Sequence, residues 1–277
     1  MSGLGSTKRP VAEVKAKGRQ AARSRWLRNL ARVGFAAKGL LYLIIGYIAF
    51  EIAFGESGGE EADNSGALQV VAENTGGTPL LWVAAAGLAG LALWQGIHAA
   101  VGPDKATRRV AAASNAVLCA VLAVTITAFL TGGGAPESQD SQSEGMTAQL
   151  MSLPFGRFVV GAAGCGMIAV GIYQLWKAVA RRFSRDLALG GLSRGGRLTV
   201  LTVGVLGYAT HGLVLGAAGV FILQAAITFD KDRAQGLDGT LRAFADTPAG
   251  PPALVAVAAG VALYGAYCFC LARWSRD

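Results

Sequence analysis

The chain has 277 residues, 53% hydrophobic and 15% charged, with 25 Lys and Arg against 17 Asp and Glu for a net charge of +8. A soluble globular domain carries about 25% charged residues, and a disordered chain lacks the apolar side chains found here. A mean hydropathy of +0.44 points instead to an integral membrane protein.

In chain order, residues 1–30 form a basic arm. Ala22, Trp26, Leu30 and Val33 share one helical face, while Arg25, Arg28 and Arg32 share another. That pattern predicts a basic amphipathic helix on a membrane surface, with Trp26, Arg25, Arg28 and Arg32 at the lipid. Six apolar stretches follow, at about 34–54, 79–101, 110–131, 155–178, 198–229 and 250–272. A bilayer needs about 20 residues per helix, and lipid leaves backbone amides no partner but their own helix. No cleavage site follows the first stretch, so it reads as a retained span.

Orientation follows from Lys and Arg. With the N-terminus inside, 21 of 25 basic residues fall on cytoplasmic segments or helix ends. They lie in the arm, at Lys38, around Lys105 to Arg109, between Lys177 and Arg197, and at Arg273 and Arg276. Glu56, Glu60, Glu61, Asp63, Glu137, Asp140 and Glu144 fall outside. Both termini are expected in the cytoplasm. The positive charge is then topological, needs no nucleic acid, and attracts anionic lipid through Arg181, Arg182 and the arm. Cys119, Cys165, Cys268 and Cys270 all lie in spans without metal-ligand spacing and read as packing residues.

The chain repeats internally. Shifting it by 173 residues lays Val33–Ala100 over Leu206–Arg273 with 17 of 68 positions identical, among them Gly34/Gly207, Gly39/Gly212, Pro79/Pro252 and Gly87/Gly260. A weaker middle copy pairs Val33 with Val110 and Gln95 with Gln174. Each unit reads as span, outer loop, short helix, span, the short helix carrying Leu68, Val71 and Ala72 in copy one and Leu241, Phe244 and Ala245 in copy three. The expected fold is all-α and membrane-embedded: six transmembrane helices as three parallel two-helix repeats in a pseudo-threefold bundle. Repeat 1 spans 31–101, repeat 2 108–178, and repeat 3 198–273, with a basic cytoplasmic loop at 179–197.

The phrases Ala31-Arg32-Val33-Gly34-Phe35-Ala36-Ala37-Lys38-Gly39-Leu40-Leu41-Tyr42, Leu153-Pro154-Phe155-Gly156-Arg157 and Gly207-Tyr208-Ala209-Thr210-His211-Gly212 resemble the repeat of the bacterial domain-of-unknown-function 1206 family. The resemblance runs from about Ala31 to Arg273 and is diluted in the middle copy, where Ser114-Asn115-Ala116 replaces the glycine-bearing phrase. It implies three two-helix units in a bacterial plasma membrane. It implies no reaction and carries over no functional residues.

Ionisable groups within spans are candidate sites because their burial is costly. Lys38, Asn115 and His211 align across the three copies; His98 and Lys177 align at the exit of the second helices, with Gln95 and Gln174 one turn deeper. These seven are the candidate polar pocket on the cytoplasmic side. The bland alternative is snorkelling of Lys38 and Lys177 to the headgroups. Glu51, aligned with Gln224, reads as wetted at the outer surface. His98 and His211 lack a nearby carboxylate or thiolate for a metal, and no cofactor fingerprint is present. Gly191-Leu192-Ser193-Arg194-Gly195 matches a nucleophile-elbow pattern but lies in a basic loop rather than after a strand. The leading expectation is a non-enzymatic scaffold or accessory protein that binds lipid or a membrane partner. The alternative is a small-solute or ion transporter or channel at the repeat axis.

Overall fold

The computed structural model describes residues 24–54, 61–101, 106–134, 136–153, 155–228, 236–245 and 250–275. Nine α-helices lie among them: α1 (Arg25–Ala53), α2 (Asn64–Glu73), α3 (Gly77–Val101), α4 (Ala106–Leu130), α5 (Gln139–Met151), α6 (Gly156–Val179), α7 (Arg194–Thr228), α8 (Leu237–Ala245) and α9 (Gly250–Trp274). Two 3₁₀ turns, Arg182–Asp186 and Leu189–Gly191, join α6 to α7. No ladder of strands occurs among the described residues; one isolated bridge pairs Leu187 with Ser275. Six helices, α1, α3, α4, α6, α7 and α9, are long and apolar enough to cross a membrane. The order span, short helix, span occurs three times, as the repeat predicts.

The chain divides into two compact units. The first holds residues 1–38 and 78–134, and the second holds 39–77 and 135–276.

In the first unit, Leu27 and Ala31 of α1 and Leu88 and Leu91 of α3 are buried. Leu30 rests on Gly90, and Gly34 meets Gly87 backbone to backbone. No separate surface helix ends at residue 30: Arg25–Leu30 are the first turns of a 29-residue helix that continues as the first span. Leu27, Leu30, Ala31 and Gly34 follow i, i+3, i+4, i+7 spacing, and no Gly or Pro interrupts them, so the packing seam of the span extends into the arm. Trp26 is left off that seam, 71% exposed. Residues 1–23 of the arm lie outside the described residues.

In the second unit, α6 and α7 pack through two glycine pairs seven residues apart. A Cβ on Gly164 would stand 2.9 Å from the Gly219 carbonyl, and one on Gly171 2.7 Å from the Gly212 carbonyl. The same holds between α1 and α9, where a Cβ on Gly39 would meet the Gly265 carbonyl at 2.9 Å. Lipid tails supply no hydrophobic drive between helices, so close backbone approach and dispersion take its place. The short helices fold onto the ends of the spans. Gly77 lies over the Val71 carbonyl and Gly156 over that of Leu150, equivalent turns in copies one and two that leave no room for a Cβ. Leu68 and Leu241 are fully buried and Val71 nearly so, as their stripe predicts; the side chains of Phe244 and Ala245 lie outside the described set.

The glycine seams predict a contrast. Gly171→Val overpacks the α6–α7 contact and destabilises by about 1–3 kcal/mol. Gly166→Val, on the same helix with nothing within 4 Å of its Cβ position, has little effect. Thermal unfolding in detergent distinguishes the two.

Candidate functional site

The polar residues singled out in the sequence fall in both units. In the first, Lys38 Nζ donates to Asn115 Oδ1 at 3.5 Å, joining α1 to α4. His98 turns back on its own helix: Nδ1 is 3.1 Å from the Trp94 carbonyl, and the two rings lie 4.3 Å apart. Gln95 is buried. Arg109 donates to the carbonyls of Ala99 and Ala100 at 2.8 and 3.1 Å, closing the C-terminus of α3.

In the second unit His211 is the centre of a cluster drawn from four helices. Its Nδ1 lies 2.9 Å from Gln174 Oε1 on α6. Its Nε2 lies 3.0 Å from the Tyr42 hydroxyl on α1. Tyr264 of α9 stacks on the imidazole at 4.2 Å and 28°, and Tyr42 meets Tyr264 edge-on at 4.8 Å. A Gln oxygen accepts, so the arrangement assigns the proton to Nδ1 and leaves Nε2 to accept from Tyr42. One turn away Lys177 Nζ lies 3.4 Å from the Tyr208 hydroxyl and 4.9 Å from the centre of its ring. The structure thus brings together Gln174 with His211 and Lys38 with Asn115.

The basic loop after α6 carries an apolar anchor that sequence reasoning missed. Phe183, Leu187 and Leu189 are buried against Val200 and Tyr267. Phe183 stacks on Tyr208 at 5.6 Å and meets Tyr267 edge-on at 5.4 Å. Ala188 N–H donates to the Trp274 carbonyl at 2.7 Å, tying the loop to the end of α9. Arg181 and Arg182 remain exposed, Arg182 lying 4.2 Å from the Trp176 ring. The available signal was four large apolar residues, Phe183, Leu187, Leu189 and Leu192, in a run otherwise made of Arg, Ser, Gly, Asp186 and Ala188. Ser193, the centre of the elbow-like pattern, plays a structural part. Its hydroxyl accepts from Gly196 N–H at 3.2 Å and caps the first turn of α7. Of the lipid-surface residues on α1, Arg25 and Arg32 are exposed and Arg28 is half-buried.

At the acidic end of the second unit, Asp63, Asp140 and Asp238 link the segments of the three short helices. Asp63 is fully buried; it caps α2 through Ser65 and Gly66 N–H and accepts from Gln139 N–H of α5 at 2.6 Å. Asp140 accepts from Gly236 and Gly239 N–H, at the start of α8, at 2.5 and 2.7 Å. Asp238 accepts from Ala62 N–H, before α2, at 2.8 Å and pairs with Arg242 at 2.6 Å. Copy one thus bonds to copy two, two to three, and three back to one.

The three span–cap–span units coincide with the matches of one family model, Domain of Unknown Function (DUF1206), at residues 33–102, 110–181 and 206–275. The chain belongs to the DUF1206 family. It is also similar to the uncharacterized protein YxxB of Bacillus subtilis strain 168, 27% identical over 249 residues, which cover 87% of this chain and 89% of that one. No solved structure matches. The third DUF1206 match begins at residue 206, so α7 starts twelve residues before it, at Arg194. Those added turns carry Val200 and Gly204, the surface against which Phe183 packs.

Two substitutions test this geometry by thermal unfolding. Gln174→Leu leaves the Nδ1–H of His211 without its acceptor and costs about 1–3 kcal/mol. Phe183→Ala empties the loop anchor and costs about 3–5 kcal/mol.

Proposed function

We propose that this multi-span membrane protein is a non-enzymatic scaffold or accessory protein that binds anionic lipid at its basic ends and holds a membrane partner against its spans. The observation that carries this reading is the glycine packing of the second unit. Backbones of α6 and α7 touch at Gly164/Gly219 and Gly171/Gly212, leaving no width between those helices for a solute. Of the side chains offered by sequence as a transport pocket, His211 bonds Gln174 and Lys38 bonds Asn115. Two helices keep broad uncovered faces: only 17% of the most apolar stretch of α4, and of α6, is buried. Exposed Arg181 and Arg182, on a loop pinned beside Trp176, suit an anionic headgroup layer, where Trp and Arg settle together. The basic split supports a cytoplasmic position for both termini and this loop, with the short helices outside.

The second reading, a small-solute or ion transporter or channel, draws on one observation: His211, Gln174, Tyr42, Lys177 and Tyr208 group several polar atoms among spans of the second unit.

Two measurements separate these readings. In sealed proteoliposomes the scaffold reading expects leakage of protons, Na⁺, K⁺ and Cl⁻ no faster than in protein-free vesicles. A flux abolished by His211→Ala would establish the conduit instead. In native mass spectrometry from mild detergent, anionic phospholipid stays bound in preference to zwitterionic lipid and is depleted by the Arg181→Ser, Arg182→Ser double variant. Equal retention of both lipid classes removes the lipid-binding part.

A further inference from the structure

One face of α6 is exposed from end to end. Phe158, Ala162, Cys165, Ala169, Ile172 and Trp176 follow i, i+4, i+7, i+11, i+14 and i+18 spacing, and all six are exposed. That spacing closes on five full turns, so Phe158 and Trp176 stand on one line, about 27 Å apart along the axis. No charged residue lies between them in the sequence. Each end of the line is closed in the same way. The Arg157 guanidinium lies 5.7 Å from the centre of the Phe158 ring, and that of Arg182 lies 4.2 Å from the centre of Trp176.

The backbone at these ends is unusual as well. Among the described residues, positive φ without glycine occurs at Phe155 (66°) and Arg181 (50°), which flank α6. In the equivalent turn of copy one, the place of Phe155 is taken by Gly76, at φ 86°. A bulky side chain avoids this conformation. Phe155 is 79% exposed, so burial within the chain does not offset the strain. Its ring lies 6.4 Å from that of Phe158, at the end of the exposed face. Strain kept at an exposed position points to a contact outside the chain.

We infer that phospholipid is that contact, and that this face of α6 is a lipid-covered strip fitted to the length of the bilayer. The hydrocarbon core of a bilayer is about 30 Å thick, which matches the distance from Phe158 to Trp176. Acyl chains lie on the apolar line between the two rings. The rings sit at the boundary with the headgroups, and the arginines reach past them to the phosphate layer. Phe155 extends the aromatic belt at the end opposite the basic loop. A partner helix laid along the whole face would instead have to desolvate Arg157 and Arg182, which is costly unless each finds an acid. The exposed face of α4 lacks this frame, since Phe129 is the one aromatic residue of that helix. The inference rests on the reading above only in taking the chain to lie in a bilayer. It gives α6 to lipid and leaves α4 as the surface for a membrane partner.

The full-length protein in phosphatidylcholine nanodiscs tests this. A phosphatidylcholine with a diazirine at the tip of one acyl chain is included and irradiated, and adducts are mapped by peptide mass spectrometry. In the wild type, adducts are expected on Ala162–Ala169. Their absence there overturns the inference, and this readout needs no variant to fold. A nitroxide on the native Cys165, with Cys119, Cys268 and Cys270 replaced by Ala, gives a second readout. Collisions with dissolved oxygen are expected to be several-fold more frequent than collisions with a water-soluble nickel chelate. If both are rare, protein covers α6; the lipid assignment then fails while the scaffold reading stands. Frequent nickel collisions put water on the face and overturn the assignment too. Phe155→Gly relaxes the backbone and is expected not to lower the Tm in detergent. A fall of several degrees would mean that the ring serves packing within the fold, and would overturn its assignment to lipid.

Discussion

Helix backbones in this protein meet without side chains between them, and the rest of the structure depends on that contact. In water, apolar area drives helices together; in a bilayer, lipid covers that area equally well. What remains is dispersion at short range, which needs small residues in register. Gly164 and Gly171 facing Gly219 and Gly212 supply it along two turns of α6 and α7. The same seven-residue spacing recurs between Gly39 and Gly46 of α1, where Gly265, Ala258 and Ala262 of α9 lie opposite. Such seams fix helix register, because a slip of one residue puts a branched side chain where only hydrogen fits.

Once register is fixed, polar side chains within the spans have few choices. His211 is held by Gln174 and Tyr42 because α1 and α6 both pass close to α7. In an apolar medium a donor left unpaired costs more than the bond it forgoes. The cluster therefore reports where the backbones lie, with Tyr42 and Tyr264 forming its aromatic walls. His211 ties α7 to α6 and α1 within the second unit.

The two ends of that unit are built by different means. At the acidic end, short helices with little apolar surface are joined by carboxylates accepting backbone N–H groups across repeats. Such charge-assisted bonds are strong. At the basic end the connection is apolar: Phe183, Leu187 and Leu189 seat the loop on α7 and α9, and the arginines are free to face outward. One end is tied by carboxylates bonded across repeats, and the other offers fixed positive charge.

Much of the architecture is legible in the sequence, because lipid imposes a simple rule. Outside a closed barrel, a backbone crossing it must be helical for about 20 residues, and six such stretches, a shift of 173 residues and the Lys and Arg distribution give spans, repeats and expected sidedness. The short helices with Leu68 and Leu241 were readable for the same reason, from period alone. Three features were not. The join between arm and first span turned on whether Leu30 packs on Gly90, a contact 60 residues away. The seat of Phe183 needed Val200 and Tyr267, which only folding brings together. The cyclic carboxylate bonds were hidden although an Asp stands near the start of every short helix, because hydrogen bonds between residues 76 to 176 apart leave no periodicity to detect. Sequence by itself determined which segments enter the membrane, since solvation acts on each residue locally; which polar atoms meet there was decided by tertiary packing, since partners are chosen by distance in space.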